Sequence, residues 1–155
     1  MTDIKTSVGT GAMDIHQIMG MIMHRYPLLL VDRVIDCVPG HHIVGFKNVS
    51  RGETFSTAGS LRTSMPTLLL IEALAQISVI LTFKTLQIEP TGQELMFFAG
   101  IDDGRFEGEV QPGDVLYLRS DVVRLRKKMG WFKATAQVEG KCVAEMAMLA
   151  AIRVS

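Results

Sequence analysis

Thr67 to Phe83 reads TLLLIEALAQISVILTF. The segment is apolar all round, so as a helix it must be buried, and Pro66 stands where a helix can begin. It falls short of the roughly 20 apolar residues that span a bilayer and includes Glu72, Gln76, Ser78 and Thr82. The expectation is therefore a core helix and no membrane insertion. Glu72 is the only charge in the run. A carboxylate in that much hydrocarbon costs several kcal/mol unless something pairs it or uses it, which makes Glu72 the first place to look for function.

Working outward, Ile15, Ile18, Met19 and Ile22 follow helical spacing, with Asp14 placed to cap the segment and Pro27 to stop it. Leu28 to Val38 and His42 to Val49 are rich in branched residues and separated by Pro39-Gly40, which predicts two antiparallel strands. Beyond the helix, strands are expected at Glu94 to Ile101, Val115 to Leu125, Trp131 to Glu139 and Lys141 to Ile152. Ala134, Ala136 and Val138 alternate with Lys133, Thr135, Gln137 and Glu139, as in a sheet with one wet face. The fold class is then α+β, an antiparallel sheet wrapped around one long central helix. Such a half-barrel leaves the helix partly uncovered, and a second copy is its natural cover.

The 155 residues suit one domain, expected over 13–155 behind a small, polar, flexible tail at 1–12. Sixteen basic and sixteen acidic residues cancel, and the one basic cluster, Arg124 to Lys128, is short. A nucleic-acid partner is not expected on that balance. The basic turn reads as a solvated hairpin or as a dock for an acidic partner. Cys37 and Cys142 have neither metal nor disulfide spacing and fit a reducing compartment, so the cytoplasm is expected, with no cofactor.

Glu72 and Gln76 share a helix face, and Thr67 lies near the positive helix end, where a free backbone amide can polarise an oxygen. A buried carboxyl with a raised pKa can exchange a proton near neutrality. Equally, Glu72 can be a structural partner of an arginine such as Arg62 or Arg105. His24, just past the first helix, reads as a packing or helix-capping side chain rather than a catalytic one. His16, His41 and His42 show no metal-ligand spacing. The ten methionines read as gap fillers, with Met96, Met146 and Met148 able to line an apolar tunnel.

Several stretches resemble the FabZ-type 3-hydroxyacyl-(acyl carrier protein) dehydratases. They are His24 to Val34 (HRYPLLLVDRV), Lys47 to Ser50 (KNVS), Leu69 to Gln76 (LLIEALAQ), Phe98 to Asp102 (FAGID) and Pro112 to Asp114 (PGD). The likeness runs from about Asp14 to Ile152 in order. It implies a hot-dog fold, a homodimer or a trimer of dimers, and an acyl tunnel at the dimer interface. It also implies an acyl-thioester substrate carried on acyl carrier protein or coenzyme A.

In this family a His of a GHFPG motif removes the C2 proton, and the helix Glu of the other subunit acts on the departing hydroxyl. Glu72 matches that Glu. The matching loop, Phe55 to Thr67, contains no histidine, and the position of the family's His falls at about Gly59 with one gap and at Ala58 without it. No histidine follows His42, so the sequence offers no nearby replacement. Pro66-Thr67 stands for the family's Pro-Gly and keeps an amide for the thioester carbonyl. Phe97 stands for a tunnel-gating Tyr, and Glu107-Gly108 replaces a basic pair that suits an acidic carrier. Catalysis is thus expected from Glu72 and the Thr67 amide, and substrate contacts from Gly59, Pro66, Gln76 and Phe97.

Three functions are compatible with these residues. The first is a dehydratase-family enzyme with weak or altered activity. The second is a noncatalytic acyl-thioester binder or partner subunit of an active paralogue. The third is a hot-dog thioesterase that uses Glu72.

Overall fold

The computed structural model of the chain describes residues 10–53, 55 and 64–153. Helix α1 (Ile15–Met21) opens the fold. Asp14 accepts from the Gln17 N–H, and the Gln17 side chain accepts from the Asp14 N–H, both at 2.9 Å. This reciprocal cap satisfies two amides that a helix start otherwise leaves orphaned. Ile18 and Ile22 bury the inner face.

Strands β1 (Arg33–Val38) and β2 (His42–Asn48) precede the long helix α2 (Thr67–Leu86), followed by β3 (Leu95–Phe106), β4 (Val115–Arg126), β5 (Met129–Val138) and β6 (Lys141–Arg153). All six strands form one antiparallel sheet in the order β1-β2-β4-β5-β6-β3. Helix α2 packs across β2, β4 and β5. This is the expected α+β arrangement with a single core between helix and sheet.

By length and composition α2 could cross a membrane, yet its residues Ala73 to Phe83 are all buried inside the protein. Its polar members are satisfied there. Ser78 Oγ donates to Leu74 O at 2.8 Å and lies 2.7 Å from Ser120 Oγ on β4, and Thr82 Oγ1 donates to Ser78 O. Gly45 on β2 lets α2 approach closely, since a Cβ there would stand 2.6 Å from Arg33 O and 3.0 Å from an Ile77 methyl.

Three expectations need correction. Leu28 to Asp32 is not strand; β1 begins at Arg33, and Leu28 to Leu30 hydrogen-bonds to a helix side chain instead of a neighbouring strand. Strand β3 runs past Ile101 to Phe106, because a bulge at Asp103-Gly104, with Asp103 at φ 50°, takes up these residues and pairing with β6 resumes at Arg105 and Phe106. The alternation on β5 fails at its end, where a register shift between Ala136 and Gln137 buries Gln137 and leaves Val138 half-buried.

Candidate active site

Helix α2 is continuously buried only from Ala73 to Phe83; nearer its start Leu70 is buried, Thr67 and Leu68 are exposed, and Leu69, Ile71 and Glu72 are half-buried. Glu72 therefore sits at the rim of the core, its side chain 39 % exposed, and not in unbroken hydrocarbon. Two donors meet one of its oxygens. Gln76 Nε2 donates to Glu72 Oε1 at 2.9 Å, and His24 Nε2 stands 3.1 Å from the same Oε1. No described residue bonds Oε2.

Gln76 is itself the centre of a buried network. Its Nε2 also donates to Leu28 O at 2.7 Å, and its Oε1 accepts from the Leu30 N–H at 2.8 Å. One helical amide thus ties the Leu28 to Leu30 strap to α2 and steadies the carboxylate one turn earlier.

His24 has a different role from the expected helix cap. Arg25 does that work, donating to the carbonyls of Met19, Ile22 and His24. His24 is left free to face Glu72, and its buried Nδ1 has no partner among the described residues. Arg105, one proposed partner of Glu72, pairs with Glu145 at 2.9 Å instead; Arg62 lies outside the described residues, as does Gly59.

The His24 hydrogen bond is the main cause that holds the Glu72 carboxyl below its ordinary pKa; burial opposes it and Gln76 assists. The raised pKa expected from sequence is thereby reversed, because the carboxylate has two donors and is only half-buried.

A cavity of about 640 Å³ opens beside this pair. Glu72, Ala75, Gln76, Val79 and Phe83 form its helical wall, at the spacing of one helix face. Met19, Met23 and Met96 supply adaptable apolar surface elsewhere around it. Of the methionines expected in a tunnel, Met96 lines this cavity while Met146 and Met148 belong to the core. Phe97 is half-exposed and does not line the cavity, whereas its neighbours Met96 and Phe98 do. Pro66 provides no side-chain cap to α2, so Thr67 opens the helix without a side chain taking its first amides.

Other candidates are placed away from this chemistry. His42 pairs with Asp36 at 2.9 Å, and His16 and His41 are exposed. Burial pushes the Cys37 thiol up to about 11, which removes it as a nucleophile near neutrality. Arg124 of the basic turn stacks over Trp131 at 5.5 Å.

The chain matches the FabA-like domain over residues 22–147, a span that includes His24, the Gln76 network, the cavity wall and five strands. It belongs to the FabA-like family. Among members of that family it is 42 % identical over 142 residues to the 3-hydroxyacyl-[acyl-carrier-protein] dehydratase FabZ of Nitrosospira multiformis, covering 91 % of this chain and 97 % of the relative. It is 43 % identical over 143 residues to the FabZ dehydratase of Thioalkalivibrio sulfidiphilus, covering 90 % and 96 %.

Among solved structures, the dehydratase heterocomplex ApeI:P from Xenorhabdus doucetiae superposes with a TM-score of 0.75 at 18 % identity, covering 89 % of this chain and 91 % of that one. At that identity the likeness is one of fold. This FabA-like hot-dog chain carries Glu72 on α2, and its four histidines are His16, His24, His41 and His42. The partner of Glu72 that sequence reasoning missed is His24. The available signal was that Glu72 lacked a partner while His24 opened another of the family-like stretches.

Proposed function

We propose that the chain is a hydro-lyase of weak or altered activity that interconverts 3-hydroxyacyl and 2-enoyl thioesters, with Glu72 as its proton-transfer group. The observation that carries this reading is the Glu72 carboxylate, clamped through Oε1 at the wall of an apolar cavity. The substrate is an acyl thioester on acyl carrier protein or coenzyme A, its carbonyl polarised by the Thr67 N–H at the start of α2. Loss of a positioned histidine base lowers the rate by about 10²- to 10⁴-fold, which is the reason to expect modest turnover.

Thr67 and Glu72 are separated by about 140° around the helix axis and ~7.5 Å along it. One substrate is therefore poorly placed to meet both on a single helix, and a site that uses both takes them from two copies. Strand β3 supports a homodimer for a second reason. It is an edge strand of 12 residues with Leu95, Phe97 and Ile101 exposed, and an open apolar edge of this kind needs a cover. In such a dimer Phe97 can reach the substrate across the contact. The buried placement of α2 supports a soluble protein.

The absence of histidine from Phe55 to Thr67 favours a second reading, a noncatalytic subunit that completes the site of an active paralogue. Hydration of crotonyl and longer enoyl thioesters, followed by loss of enoyl absorbance, separates the two. Turnover by wild type that collapses in Glu72→Gln supports the hydro-lyase. No turnover by wild type, with activity only in Gly59→His, selects the partner subunit.

A further inference from the structure

We propose that Glu72 is the general base, offering Oε2 to the C2 proton of the 3-hydroxyacyl thioester, and that His24 is the positioning residue that fixes which oxygen is offered. This rests on the hydro-lyase reading and adds to the helix carboxylate the C2-proton step that the family resemblance gives to a histidine.

The geometry distinguishes the two oxygens. Oε1 receives both Gln76 Nε2 and His24 Nε2; Oε2 is bonded by no described residue. An acid that protonates a departing hydroxyl must carry a proton beforehand, whereas two donors on one oxygen favour the ionised carboxylate, the form that accepts one. The lowered pKa of Glu72 agrees with this.

The elimination balances on the one carboxylate. Oε2 takes the C2 proton, and the C2–H electron pair becomes an enolate whose oxygen is held by the Thr67 N–H of a second copy of the chain. That pair then forms the C2–C3 double bond as the C3–O bond breaks. The proton on Glu72 passes to the departing hydroxyl, which leaves as water, and the carboxylate is restored. Neither an external base nor a redox partner is required.

Other charged groups around the cavity do not take over the role. The guanidinium of Arg25 is engaged by three carbonyls. Glu94, on the approach to β3, is held by Thr91 and by the Gly92 N–H. His24 remains the one basic side chain recorded against Glu72 among the described residues.

The test is the pH dependence of enoyl-thioester hydration by the full chain, for wild type, His24→Leu and His24→Gln, with circular dichroism as a folding check. Where His24→Leu does not fold, His24→Asn, too short to reach Glu72, takes its place. Expected are a kcat about 10- to 100-fold lower in the contact-removing variant, as for loss of a hydrogen bond to a charged group, and a KM little changed. The acid limb of the rate profile moves to higher pH, since burial then opposes ionisation with only Gln76 against it. His24→Gln, which restores a donor, recovers part of both effects.

A wild type that turns over, with kcat and acid limb unmoved by removal of the contact, overturns the role of His24 and leaves the hydro-lyase standing. An altered limb without recovery in His24→Gln rejects hydrogen-bond positioning. A wild type inactive on every enoyl thioester removes the hydro-lyase reading and the base role with it.

Discussion

His24 Nε2 lies 3.1 Å from Glu72 Oε1, joining the segment that follows α1 to the rim of the central helix. A polar bond between two half-exposed side chains adds little stability in water-screened surroundings. Its consequence is chemical, because it fixes the carboxylate's charge state and the orientation of its oxygens at the wall of an apolar cavity. The stretch from Phe55 to Thr67 carries no histidine, but Glu72 has His24 beside it.

Acid stability follows from the direction of the Glu72 shift. Its folded-state pKa is depressed below the reference value of 4.5. The stabilisation is therefore present above the unfolded value and is lost as pH falls through the folded one. Glu72→Gln should remove this increment, so the urea midpoint of wild type should fall more than that of Glu72→Gln between pH 6 and pH 3. Equal slopes in the two proteins would show that the His24 contact does not bias ionisation in solution.

Gln76→Leu should be costly despite keeping an apolar side chain of similar size. It removes the acceptor for the buried Leu30 N–H and the donor to Leu28 O. Unsatisfied buried groups cost about 1–3 kcal/mol each, so a loss of roughly 2–4 kcal/mol in urea unfolding is expected. The same variant should raise the pKa of Glu72, seen as an acid limb at higher pH. A loss below about 0.5 kcal/mol, the usual scale for a neutral surface change, would mean that the strap is held by packing alone.

The sequence carries the framework better than the site, for physical reasons visible in particular residues. Helix α2 is legible because an unbroken apolar run needs no information from elsewhere, and Asp14 announces α1 because a cap is a local bond. Leu28 to Leu30 looks like a strand by its side chains, but its backbone partners are on Gln76, dozens of residues away. The state of Glu72 depends on His24, which approaches only once α1 has docked and Arg25 has taken over the helix end. The expected strand stops at Ile101 because nothing local reveals that pairing with β6 resumes beyond Asp103-Gly104, at Arg105.

The cavity gives a chain-length prediction. Its helical wall runs from Glu72 to Phe83, a rise of about 16 Å, and Val79 stands along it. Val79→Trp should fill the middle of the cavity while leaving the Glu72 end open. Hydration of crotonyl thioester should then change by less than about threefold, whereas a ten-carbon enoyl thioester should lose about tenfold or more, the scale of one misfitted apolar group in a pocket. Equal losses for both substrates would place the acyl chain elsewhere.

The edge strand supplies the remaining prediction. Phe97 and Ile101 are 51 % and 42 % exposed on β3, whose outer side has no neighbouring strand among the described residues. Charged residues on an edge oppose strand-to-strand pairing between chains, so Ile101→Lys should shift the protein toward monomer in sedimentation velocity. The substitution lies outside the His24, Glu72 and Gln76 network, and Ile101 is not one of the residues placed against substrate. If the active site takes Thr67 and Glu72 from two copies, activity should fall in step with the dimer fraction and recover as protein concentration is raised. Full specific activity in a sedimentation-verified monomer would mean that one chain holds the whole site, and the geometry of α2 would then have to be met by a substrate bent around the helix end.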